Sequence, residues 1–178
     1  MQRIVPVLFL TFGWVAASAQ PGPLKIFVAT GRQVIVETRS PGFWECEGGV
    51  RTTTGPPFCS SSSTHVSFWN LSSLYKSEEV KGSAAELIDG PLTTFVNGDF
   101  DGKYFGHMFG TFEWKVPGMG GQWLGTFTAV ADQMRGLVIN KAVGYGSGGK
   151  LEGLKLEFYQ VTPGAGQPSA FLAQVSTK

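Results

Sequence analysis

KYFGHMFGTFEWKVPGMGGQWLGTFTAVA, residues 103–131, is the stretch that decides the fold. It holds two runs rich in aromatic and β-branched residues, Lys103–Val116 and Gln122–Ala131, separated by the turn-forming residues Pro117, Gly118, Gly120 and Gly121. The same pattern continues outward, with Leu92–Val96 before it and Leu137–Tyr145 and Lys150–Val161 after it, each bounded by Gly, Pro or Asn/Asp turns. Consecutive strands joined by short turns are antiparallel neighbours. A meander of about eight to ten such strands must close on itself or fold over. The chain therefore reads as all-β, an antiparallel closed or nearly closed β-barrel, with a two-layer β-sandwich as the alternative that fits the same alternation. Gly106, Gly110, Gly125, Gly144, Gly146 and Gly153 interrupt the strands where side chains would pack, marking bends and places where rings can lie across the backbone.

Toward the N-terminus, Leu24–Ala29 and Gln33–Thr38 read as a hairpin turning at Thr30-Gly31-Arg32, and Thr64–Trp69 as a strand with one wet face. Residues 71–88 stay undecided, because Glu78-Glu79 and Ala84-Ala85-Glu86-Leu87 could support short helical turns. At the other end, Pro163–Gln167 reads as a linker and Ser169–Val175 as a closing strand. An undocked closing strand would leave an open edge that favours homodimers by strand pairing.

Residues 1–19 have the form of a signal peptide: Arg3, the apolar stretch Ile4–Val15, then Ala17-Ser18-Ala19 before Gln20. The expected mature protein is exported, periplasmic or secreted, and comprises one domain over residues 20–178 without a membrane-spanning run. Removing Arg3 from fourteen basic residues leaves thirteen against thirteen acidic ones, a formal charge of zero. The basic residues are scattered singly, which excludes the basic stripe of a nucleic-acid binder. Cys46 and Cys59 are the only cysteines, and in an oxidising compartment they read as a disulfide pinning the loop 46–59.

Three segments carry a resemblance: G-T-F-E-W at Gly110–Trp114, W-L-G-T-F-T at Trp123–Thr128, and G-Y-G-S-G-G-K-L-E-G-L-K at Gly144–Lys155. Their strand-and-glycine-turn pattern resembles that of allene-oxide-cyclase-like and dirigent-like barrels, over the C-terminal third to half of the mature chain. The resemblance implies a barrel with a central cavity. It brings no activity, because no catalytic residue of those proteins aligns onto a position here.

Phe105, Phe109, Trp114, Trp123 and Phe127 are the candidate lining of such a cavity, suited to an apolar or aromatic ligand. His107 lies on one strand face with Phe105, Phe109, Thr111 and Glu113, so His107 and Glu113 would stand as acid and base on one wall if that face points inward. Asn97, Asp99 and Asp101 form N-x-D-x-D-G with Gly102, the first half of a calcium loop. Met108 stands where an EF-hand loop would place its glutamate, which leaves a β-type calcium site or an Asx-rich turn. No other cofactor is implied. There is no G-x-S-x-G elbow, and the glycines at 144–149 link strands rather than opening a helix, so they are no phosphate loop. Three functions are compatible with this sequence: an exported small-molecule-binding barrel, an isomerase- or cyclase-type enzyme of the same fold, or a structural or interaction module with a filled core.

Overall fold

The computed structural model describes residues 25–46, 50–53, 65–101, 105–132, 135–163 and 167–177. The expected signal peptide and Cys59 lie outside them. The strands are β1 (Ile26–Cys46), β2 (Val50–Thr52), β3 (His65–Gly82), β4 (Leu92–Asp101), β5 (Phe105–Val116), β6 (Gly121–Asp132), β7 (Leu137–Ser147), β8 (Leu154–Thr162) and β9 (Ser169–Thr177). Each of β3 to β8 pairs antiparallel with the next, and β1 closes the ring by pairing with both β3 and β9. The architecture is a closed antiparallel eight-stranded barrel, with β2 added on the end of β1. The barrel, not the sandwich, is the outcome. Ser169–Val175 docks as the closing strand, Ile26–Gln33 pairing with Ser176–Ser169, so the open edge invoked for dimerisation is absent from the ring.

The N-terminal hairpin is a correction. β1 runs unbroken through Thr30-Gly31-Arg32, and what the glycine marks is a register shift between Thr30 and Arg32, a bulge rather than a turn. Glu79 on the partner strand takes up the distortion with φ at 53°. The extra residue at this shift lies on β3, where Glu79 and Val80 stand opposite Gly31, whereas at Ile35/Glu37 and Thr38/Ser40 it lies on β1, at Val36 and Arg39; Ile26–Gln33 pairs with β9 and Ala29–Cys46 with β3. Within 71–88, β3 extends to Gly82 and only Ala85–Ile88 forms a helical turn, of 3-10 type. Asn97 to Asp101 belong to β4, not to a turn, with pairing continuing to Asp101 against Phe105.

Alternation fixes which face is inside. On β5, Phe112, Trp114 and Val116 are buried, while Phe105, His107, Phe109 and Lys115 are exposed. The up-and-down order places the connections after β3, β5 and β7 at one end, and this end is closed. Trp123 Nε1 donates to the Leu87 carbonyl at 2.7 Å and Trp114 Nε1 to that of Gly90 at 3.0 Å, strapping the Ala85–Ile88 turn to the inward indoles. Ile88, Val116, Leu151 and Trp123 there are fully buried. Above this plug Trp114, Phe158 and Phe171 meet edge-to-face and tilted, with centroids 5.3 to 6.3 Å apart. A second aromatic cluster, Trp44, Phe68 and Phe100, fills the space under the far ends of β1, β3 and β4.

Gly144 is required by a ring, and Gly125 by the same ring together with the Val143 carbonyl oxygen, 2.2 Å from where its Cβ would stand. Gly125 and Gly144 are cross-strand partners beside Phe112, and a Cβ on either would stand 2.5 Å or 2.7 Å from the Phe112 ring. Here the sequence expectation that rings lie across strand glycines describes the packing.

Candidate ligand-binding cavity

Between the plugged end and the opposite end lies a cavity of about 360 Å³. Its walls are mostly apolar, including Met108, Phe112, Trp114, Phe127 and Phe158. It owes its room to small side chains on one side, Ala129 of β6 and Ala142 of β7, both inward and buried. It reaches the end of the barrel where β8 leads into β9, with Thr162, Pro168 and Ser169 among its lining.

The polar lining is concentrated on β1, β7 and β8. Asn140 Nδ2 donates to Gln160 Oε1 at 3.3 Å, and Gln160 Nε2 donates to Gln33 Oε1 at 3.2 Å. Thr162 and Ser169 hydroxyls share a bond of 2.7 Å. On the other wall, burial pushes the Tyr75 phenol above its ordinary range, and the neighbouring Thr94 hydroxyl opposes that shift only in part. The two hydroxyls do not reach hydrogen-bond geometry, and Thr94 Oγ1 is buried with no partner in the protein. Tyr75 is the single titratable side chain among the described lining residues, and it stays a neutral donor at physiological pH.

Of the five aromatic candidates, Trp114 and Phe127 line the cavity. Trp123 is inward but sealed in the plug beneath it. Phe105 and Phe109 project from the outer face, 60% and 42% exposed, so they belong to no interior site. Strand geometry explains the correction: residues of opposite parity cannot share a wall, and the inward parity on β5 is that of Phe112 and Trp114. His107 and Glu113 share the parity of Phe105. They also point outward, Glu113 toward Lys115 Nζ at 3.5 Å, so the inward face on which an acid–base pair depended is not theirs.

Asn97 and Asp99 lie on the outside of β4, extended rather than looped. Asn97 Oδ1 accepts from the Asn70 backbone N–H at 2.9 Å, and Asp99 Oδ1 lies 2.8 Å from both Ser67 Oγ and His65 Nε2. The side chain of Asp101 lies outside the described residues. Among the described residues no group of three or more His, Cys, Asp or Glu side chains could hold a metal ion. On the outer face of β8, the Lys155 ammonium 2.6 Å from Glu157 holds that carboxyl below its usual range, and Glu157 raises the Lys155 ammonium in turn. Among the described residues no helix is long and apolar enough to cross a membrane.

Gln33, Asn140 and Gln160 escaped the reading of sequence alone. Charge on their neighbours is the signal that locates them: Lys141 faces out, so Asn140 faces in, and Lys155 and Glu157 facing out turn Gln160 inward. No protein-family model matches the chain, and no curated protein or solved structure matches it either.

Proposed function

We propose that this protein is an exported barrel that holds a small, largely apolar or aromatic molecule. The observation that carries the reading is the cavity of about 360 Å³ walled by Phe112, Trp114, Phe127 and Phe158, within the size range of small-molecule sites. A module with a filled core would have no such space, and that reading loses ground accordingly. An isomerase or cyclase needs a proton donor and acceptor inside, where the described lining offers only the neutral phenol of Tyr75. Export rests on the signal-like residues 1–19, and in that compartment Cys46, buried at the end of β1, would bridge to Cys59 and pin the connection to β3.

The test is titration of the mature protein with N-phenyl-1-naphthylamine, an uncharged dye whose fluorescence rises in apolar surroundings. Saturable uptake of one dye per chain is expected. Ala142→Phe, which fills the cavity from its small-residue wall, is expected to abolish it while circular dichroism stays that of the parent. Non-saturable uptake, or uptake unaffected by Ala142→Phe, would sink the proposal.

A further inference from the structure

The three amides of the cavity wall form a chain with loose ends. Gln33, 1% exposed, and Gln160, 8% exposed, are linked to each other and to Asn140 by two hydrogen bonds, which leaves Gln33 Nε2 and Asn140 Oδ1 buried without a partner in the protein. Each primary amide offers one acceptor oxygen and a donor nitrogen. A chain of three therefore ends in one spare donor and one spare acceptor. Rotating all three amides reverses the direction of donation and exchanges the two ends, but the inventory is the same. Buried polar groups in native folds are paired in the great majority, and these two, with Thr94 Oγ1, line one cavity.

Charge narrows the partner further. No Asp, Glu, Lys, Arg or His is among the described residues that line the cavity. A carboxylate or ammonium drawn inside would lose its hydration with no countercharge to replace it.

Building on the binding role proposed above, we infer that the ligand is a neutral molecule whose polar head carries both a hydrogen-bond donor and an acceptor, as a carboxamide or lactam does, on an apolar or aromatic body. The head completes the amide chain at Gln33 and Asn140, and the body lies against Phe112, Phe127 and Phe158.

Displacement of N-phenyl-1-naphthylamine by three compounds of one body tests this: 1-naphthaleneacetamide, 1-naphthaleneacetate and 1-methylnaphthalene. The acetamide is expected to bind at least about tenfold tighter than either of the others, about 1.4 kcal/mol. Gln33→Met, which keeps the length of the side chain and removes the amide, should bring the acetamide down to the affinity of methylnaphthalene. Asn140→Leu gives the same readout from the other end of the chain if Gln33→Met does not fold. Equal displacement by all three, preference for the acetate, or no displacement by the acetamide overturns the inference while leaving saturable dye binding, and with it the binding role, intact. Absence of saturable dye binding overturns both.

Discussion

Gly144→Ala isolates the contact between ring and backbone on which the inner wall is built. The added Cβ would stand 2.7 Å from Phe112 Cζ and 3.3 Å from Phe112 Cε2 and the Leu124 carbonyl oxygen, so the ring is the chief obstacle. Forcing a methyl into a packed interior costs about 1–3 kcal/mol. Alanine recovers about 0.5–1 kcal/mol of the entropy that glycine loses in a strand. The net expectation is a loss of up to about 2.5 kcal/mol, and at about 2–4 °C per kcal/mol for a chain of this size the midpoint falls by up to about 10 °C. The decisive measurement is a double-mutant cycle in urea, followed by tryptophan fluorescence, with Phe112→Leu as the second change. Removing the ring removes the obstacle, so Gly144→Ala should be neutral or slightly stabilising in that background, and the cycle should return a coupling of about 1–3 kcal/mol. Additivity within about 0.5 kcal/mol would refute the argument. So would a mild Gly144→Ala that has lost dye binding, because the ring would then have swung into the cavity instead of resisting.

Trp114→Phe keeps an aromatic body but strands the Gly90 carbonyl, and chemical denaturation should show a loss of about 1–3 kcal/mol from the unmade bond. For Tyr75, burial raises the folded pKa above the unfolded value of about 10. Its contribution to stability is thus fully present below that value and is lost as pH rises through the folded pKa; Tyr75→Phe should flatten this part of an alkaline stability profile, and an unchanged profile would count against burial of the phenol. His107→Ala and Glu113→Ala change only the outer face and should leave dye affinity within about twofold, whereas a tenfold loss from either would place them in the site.

Strand order was legible from Leu92 onward because each strand there is short, bounded by turn residues and followed directly by its neighbour. The first half was not, for a physical reason. β1 spans Ile26–Cys46 unbroken, and Gly31, which is a glycine because the Phe171 ring lies against it, carries the same local signal as a turn glycine. Asn97-Gly98-Asp99 misled in the same way: Gly98 is there because Phe68 lies against it from the inside, and the flanking Asn and Asp are outward strand positions. The candidate site was half legible. Aromatic content identified β5 and β6 as walls, but both faces of β5 carry phenylalanine, so aromaticity could not choose between them. Charge could, since Glu113 and Lys115 mark the wet face and leave Phe112 and Trp114 for the interior.

That distribution of side-chain size along the inner face is what leaves a cavity in the barrel. An eight-stranded barrel is just wide enough for its own side chains to fill it. At the closed end Trp123, Val116, Ile88 and Leu151 are fully buried, and the indole N–H groups of Trp114 and Trp123 tie the covering turn in place. Toward the other end Ala129 and Ala142 stand on neighbouring strands where rings would otherwise meet, and the volume they release is the cavity. Stability and binding should therefore separate along the barrel axis. Changes in the plug, such as Trp123→Phe, should lower the melting temperature with little effect on the affinity of the folded protein for the dye. Changes in the alanine wall, such as Ala129→Leu, should weaken dye binding at least tenfold before they cost as much stability. If both classes moved stability and affinity in proportion, the cavity would be a packing defect shared by the whole core, not a site with its own wall.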